Sequence, residues 1–198
     1  MKKDNYIYML GDSLYINLTN RCSNSCVFCV RNTQDGMDDY NLWLDREPSA
    51  QEVIDLIPDP TAYKEIVFCG FGEPTERLDV LLEIAEYLKQ RGGTVRINTN
   101  GHASLIAGKD VTPLLQGKVD VVSISLNASN AKEYQRQCQC RYGEQGFSAM
   151  LDFAVNAKKY VPSVILSIVD ILPSHEQEAC RKLCDELGLT LRIREMIN

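Results

Sequence analysis

The sequence predicts an α/β fold: six strand–helix units curved into a partial (β/α)6 TIM-like barrel, with a β-hairpin at the N-terminal end. Three observations predict it. Short apolar runs alternate with longer amphipathic ones six times over, an order that calls for a parallel sheet with helices outside. No linker or low-complexity segment interrupts the 198 residues, which suffice for one domain over 1–198 with a buried core. The strands are also polar on one face. In "VVSISLNA", Ser123, Ser125 and Asn127 alternate with Ile124 and Leu126, and "RINTN" puts Arg96, Asn98 and Asn100 on one side. A strand held between two helix layers is nearly all apolar. The strand–helix order fits an open doubly wound sheet as well, but a polar inner face favours a curved sheet whose lumen holds a polar ligand.

The hairpin is read from "YIYML-GD-SLYINLT", where Gly11-Asp12 supplies the turn chemistry. Further strands are expected over 65–70, 94–100, 119–127, 164–170 and 190–195. Between them lie the helices. Ser49 and Glu52 form a capping box ahead of Val53, Ile54 and Ile57. Leu78, Leu81, Leu82, Ala85 and Leu88 mark the apolar face of the next helix. Thr112-Pro113 opens a short one with proline at its first position. Phe147, Met150, Leu151, Ala154 and Ala157 stripe another, and Ser174 with Gln177 is expected to cap the last, which stops at Gly188. In either closure the chemistry belongs to the loops after the strands' C-terminal ends.

Composition narrows the function. With 44% hydrophobic and 24% charged residues the chain reads as globular, and no apolar run reaches the ~18 residues that cross a bilayer. The apolar stretch at the start ends at Gly11-Asp12, too early for a signal peptide. A cytoplasmic location follows, where eight cysteines argue for metal or redox chemistry rather than disulfides. The net charge of −6 shows no Lys/Arg cluster, which weighs against nucleic acid.

The stretch that carries chemistry is "TNRCSNSCVFCVRN", with Cys22, Cys26 and Cys29 in the loop after the first barrel strand. Zinc sites favour paired Cys-x-x-Cys units or histidines, and the two histidines, His102 and His175, lie far along the chain. Chance thiols leave the flanking "TNR" and "VFC" unexplained. A [4Fe–4S] cluster held by three thiolates remains, with one iron open to a substrate or cofactor. Here the sequence resembles the radical S-adenosylmethionine (SAM) superfamily: Cys22-x3-Cys26-x2-Cys29, with aromatic Phe28 before the last cysteine, matches its signature in full. The resemblance implies SAM on the open iron, reductive cleavage to a 5′-deoxyadenosyl radical, hydrogen abstraction from a small or medium substrate, and an external flavodoxin- or ferredoxin-like electron donor.

Other motifs support it. "CGFGEP" resembles the superfamily's Gly-Gly-Glu-Pro element, with Gly70, Gly72, Glu73 and Pro74 in place and Phe71 between the glycines. The resemblance implies that this loop receives the SAM ammonium, the glycines letting backbone come close and the acid suiting a cation. "NTNG" adds Asn100, while Ser125, Asn127 and Arg194, with Arg192 two residues earlier, are the implied contacts for the rest of the cofactor. More narrowly, "LYINLTNRCSNSCVFCVRN", "LWLDREPS" and "VRINTNG" resemble the short radical SAM group associated with TatD-family nucleases, which implies a TatD-family partner. Residues 30–47, with Asp35, Asp38, Asp39, Tyr40 and Trp43, read as a lid or binding loop. "YQRQCQCRYGEQGF" offers Tyr134, Cys138 and Cys140 as candidate catalytic groups near the barrel mouth, against simple packing. Cys180 and Cys184, one helical turn apart, read as core, and packing is expected of Cys69 too. Activation of a glycyl-radical partner protein, or a non-catalytic iron–sulfur or metal module, are the alternative functions.

Overall fold

The computed structural model describes residues 4–37 and 40–196. Strand β1 (Ile7–Leu10) turns back on β2 (Ser13–Ile16), pairing Leu10 with Ser13 across the two-residue Gly11–Asp12 loop. Gly11 holds φ +60°, the left-handed value that such tight hairpin loops demand. From β2 onward every pairing in this sheet is parallel: β2 to β5 (Ile66–Phe68), then β6 (Val95–Thr99), β7 (Val121–Ser125), β8 (Ser163–Val169) and β9 (Thr190–Arg194). That makes six parallel strands plus the hairpin partner, in the order β1-β2-β5-β6-β7-β8-β9. The sheet is open, as a partial barrel requires.

One face carries the core. Leu14, Ile16, Ile66, Phe68, Ile97, Val122, Ile124 and Leu166 pack against the helices in one continuous cluster. Helix α1 (Ala50–Ile54) starts at the expected Ser49–Glu52 capping box. Helix α2 (Leu78–Gln90) buries Leu81, Ile84, Ala85 and Leu88, a 3.6-residue stripe that gives it one inward side. A short α3 (Ala103–Ala107), α4 (Ala131–Cys138), α5 (Gln145–Ala157) and α6 (Ser174–Leu187) complete the layer. Cys180 and Cys184 are fully buried on α6, which stops at left-handed Gly188. The opposite face presents Tyr15, Arg96, Asn98, Ser123, Ser125 and Arg194, alternate residues by register, so the polar side lines the concave lumen.

Four expectations change. Strands are shorter than the apolar text, ending at Phe68 and Ser125 because the following residues turn into loops. Ser174 does not cap α6: Pro173 takes the N-cap place with no side-chain bond, and Gln177 instead donates to the Asp170 and Leu172 carbonyls. Thr112–Leu115 is a 3-10 turn rather than an α-helix. Residues 30–47 are not structureless, since they hold a 3-10 turn at Val30–Asn32 and a small hairpin of β3 (Gly36–Met37) and β4 (Tyr40–Asn41). Of the loop's candidate residues, Asp38 and Asp39 lie outside the described residues.

Candidate functional site

The three cysteines sit where predicted, in the irregular segment following β2. Its entry is clamped from the side. Thr19 Oγ1 donates to Glu47 at 2.6 Å and Arg21 adds two bonds to the same carboxylate, which also takes Arg77. Asn20 exchanges both amide bonds with Leu44, at 2.8 and 3.1 Å. The "TNR" and "LWLDREPS" texts are thus two halves of one clamp. Beyond it, the loop lies across the C-terminal end of α4: Ser25 N–H donates to Cys138 O and Val27 N–H to Gln137 O, each at 2.9 Å. These carbonyls are the ones a helix end leaves free. Arg31 reaches back to the Asn20 and Asn24 carbonyls.

The thiols are half-buried and protonated. Burial, seconded by the Glu73 charge, pushes the Cys22 thiol up to about 12. Cys26 is raised chiefly by its hydrogen bond with the Cys138 thiol and then by burial, and Cys29 by burial. Each must shed a proton to bind iron. Cys22 and Cys29 are each pushed up a little further by Cys26. Cys22 Sγ accepts from Asn24 N–H at 3.4 Å and faces the Asn100 amide at 3.8 Å, the kind of N–H donors that steady a cluster thiolate. Among the described residues no three His, Cys, Asp or Glu side chains converge on a single ion. Thiolates of a cubane each bind a different iron, so such convergence is not what a cluster needs. Donor chemistry, spacing and anchoring fit a [4Fe–4S] cluster, with the half-buried Phe28 beside Cys29.

The Gly-Phe-Gly-Glu-Pro loop abuts this segment. Glu73 N–H donates to Arg21 O at 2.8 Å. A Cβ on Gly72 would meet the Thr19 and Arg21 carbonyls at 2.3 and 2.5 Å, and one on Gly70 the Asn17 side chain at 2.0 Å. Gly72 therefore admits the protein's own backbone, and Gly70 the Asn17 side chain. Phe71 turns away to pack with Tyr8 and Leu42, its ring edge-on to Trp43 at 5.1 Å. Glu73 is buried, and burial pushes its carboxyl above the usual carboxylate range against the pull of its donors. Oε1 takes Thr75 N–H, Thr75 Oγ1 and Thr99 Oγ1, and Oε2 takes Asn100 N–H at 2.7 Å. Only Oε2 and the loop carbonyls keep capacity for an ammonium. Pro74, buried, opens the 3-10 turn Pro74–Arg77.

Of the remaining candidates, Asn100 and Asn127 are buried near the loop, while Ser125 lines the lumen half-exposed. Asn127 holds φ +56°, a left-handed value asparagine tolerates better than most residues. Its Nδ2 faces Cys138 Sγ at 3.8 Å and its Oδ1 is buried without a partner among the described residues. Tyr134, Cys138 and Cys140 are at most 3% exposed and lie under the cysteine loop, not in a free connection: the first two belong to α4, and Cys140 follows it. Arg194 lies on the lumen side of the last strand, apart from this group.

Sequence reasoning passed over His102. It is fully buried, and its Nε2 lies 3.0 Å from Gly146 O, which can only accept, so Nε2 carries the proton. Nδ1 then accepts from Ser23 Oγ at 2.9 Å, inside the cysteine loop, and Asn100 Nδ2 donates to the same Ser23. Burial holds the ring down at about 4, hence neutral. Asn24 donates to Tyr134 Oη at 3.0 Å, completing the floor under the cysteines. The signal was present, a histidine next to "NTNG" at the end of a barrel strand. A cavity of about 320 Å³ lies between α4 (Glu133, Arg136), the segment after β8 (Leu172, Pro173) and the start of α6 (Glu176).

A family model described as the radical SAM superfamily matches residues 16–187. The chain belongs to the radical SAM superfamily. GTP 3',8-cyclase of Lactiplantibacillus plantarum is 30% identical over 173 residues, covering 85% of this chain and 48% of that protein. Fe-coproporphyrin III synthase of Methanosarcina barkeri is 30% identical over 185 residues, covering 85% of this chain and 42% of its own length. The chain thus spans about half the length of the curated relatives it matches. Among solved structures, Streptococcus suis SuiB bound to precursor peptide SuiA aligns with TM-score 0.64 at 16% identity, over 96% of this chain and 40% of that one. Radical SAM proteins use a [4Fe–4S] cluster and SAM, the two cofactors that the sequence resemblance implies. No helix among the described residues is long and apolar enough to cross a membrane.

Proposed function

We propose that this chain houses the catalytic centre of a radical SAM enzyme, with Cys22, Cys26 and Cys29 holding the cluster. When bound, cluster and cofactor supply reductive cleavage of the SAM sulfonium to a 5′-deoxyadenosyl radical, which takes a hydrogen atom from substrate. The observation that carries the reading is the stitching of the cysteine loop to the Gly-Phe-Gly-Glu-Pro loop, through Glu73 N–H to Arg21 O and the close approach of Gly72. Two texts far apart in sequence are held as one surface. In this reading Asn100 donates toward the Cys22 thiolate, and Gly70 to Pro74 present carbonyls and Glu73 Oε2 to the SAM ammonium. Ser125 and Asn127, whose Oδ1 is free to accept, face the ribose side. His102 and Tyr134 fix the loop from below, with Cys138 against Cys26.

The lumen takes a small or medium substrate. GTP 3',8-cyclase and Fe-coproporphyrin III synthase are names of different reactions, so neither substrate transfers. An external flavodoxin- or ferredoxin-like donor would reduce the cluster. A TatD-family partner rests on the sequence resemblance alone. The test is anaerobic reconstitution with iron and sulfide, reduction by dithionite, and mass spectrometry for 5′-deoxyadenosine from added SAM, with Cys26→Ala alongside. Product from wild type alone supports the proposal. A reconstituted wild type that binds no SAM and makes no product overturns it in favour of a structural cluster.

A further inference from the structure

Two guanidinium groups in the lumen have buried nitrogens with no partner. Arg96 projects from β6 and Arg194 from β9, and the Nε of each is buried and unbonded among the described residues. A buried N–H left without an acceptor is costly and uncommon, so each asks for a ligand or water. Arg96 is part-neutralised, with Nη2 3.0 Å from Glu65 and 3.4 Å from Tyr15 Oη. Arg194 makes no ion pair among the described residues and has Arg192 on its own strand as a further positive charge. The two strands are separated in the sheet by β7 and β8. Even so, both charges bear on one thiol: burial raises that of Cys69, and the Asn98 side chain and the two guanidinium groups pull it back down. Register explains the convergence: Val67 pairs with Arg96 and Phe68 with Ile97, so Cys69 follows on the same face as Arg96 and Asn98. Only a curled sheet brings Arg194 across to them.

We propose that Arg96, Arg194 and Asn98, grouped around Cys69, form a subsite for an anionic group of the substrate, a carboxylate or phosphate. Arg96 gives this subsite its depth: it is level with Tyr15 and Val67 in the sheet, four residues before Asn100, while Asn98 and Arg194 lie further along their strands toward the cofactor loops. Arg194, first assigned to the cofactor, is placed on the substrate instead. The proposal goes beyond the radical reading, and its readout is thiol chemistry, so either can fail without the other.

Cys69 is its own reporter. The anaerobically reconstituted protein is alkylated with anionic iodoacetate or neutral iodoacetamide at one pH, and labelling of Cys69 is followed by peptide mass spectrometry. Comparing two reagents at one pH cancels the thiolate fraction. The iodoacetate-to-iodoacetamide rate ratio at Cys69 should exceed that of glutathione by about tenfold, the equivalent of about 1.4 kcal/mol. Inorganic phosphate or acetate should reduce it more than chloride of equal ionic strength, and whichever competes better names the anion class. Arg194→Gln should bring the ratio back to that of glutathione, and Arg194→Lys should keep part of it. A wild-type ratio equal to glutathione's overturns the proposal without any variant having to fold. So does a preference abolished by adding SAM, which would return Arg194 to the cofactor.

Discussion

His102 shows how one side chain can tie a cluster loop to the helix layer. Its ring is neutral because burial outweighs every other influence, and its two nitrogens join Ser23 to Gly146. The unfolded chain takes up the proton near 6.5 and the native one only near 4, so between these values the unfolded state binds more protons. Stability is complete above 6.5 and falls as pH drops toward 4, by up to about 3 kcal/mol. Urea unfolding across that window should show this slope, and His102→Asn should flatten it; an unchanged slope in the variant would mean the ring is not held neutral. Gln139 offers a second residue-scale prediction. It ends α4 at φ +44°, where a side chain is strained and glycine is at home. Gln139→Gly should therefore stabilise the protein by about 0.5–1 kcal/mol, read as a raised urea midpoint. Asn127 has φ +56° too, but its amide faces Cys138, so glycine there should give no such gain.

At the scale of elements, the site is a junction of two loops and a helix end. Gly72 has carbonyls of Thr19 and Arg21 where a Cβ would go. Backbone on both sides cannot yield as a flexible side chain would. Gly72→Ala should cost about 1–3 kcal/mol and lower the iron retained on reconstitution, measured by thermal melts and iron analysis; normal iron content would show that the loops need not touch. The strand-and-helix order, the hairpin turn and the Ser49–Glu52 cap were readable because each depends on neighbours within four residues. The Ser174 cap was misread for the converse reason. Gln177, instead of accepting from the N-cap N–H, donates its amide to the Asp170 and Leu172 carbonyls, which only the chain's path after β8 brings within reach. The small hairpin within residues 30–47 was not read from the sequence because two-residue strands leave no periodicity, and its packing on Tyr8 and Phe71 is long-range.

For the whole molecule, the core and the cluster loop occupy different places. Helices and sheet bury one continuous apolar layer, to which the loop adds only part of Cys26. A variant with Cys22, Cys26 and Cys29 all changed to alanine should keep its far-UV circular dichroism and unfold cooperatively; a molten or unfolded variant would mean the cluster is part of the folding core. By itself the sequence determined the six parallel units, the polar inner face and the placing of three thiols in one loop. These follow from spacing and alternation, which are local. Tertiary structure alone decided that Glu73 gives acceptor capacity to Thr99 and Asn100 and that His102 supports the cysteine loop. Those contacts join strands and loops tens of residues apart, and sheet curvature, which no local pattern encodes, sets which of them meet.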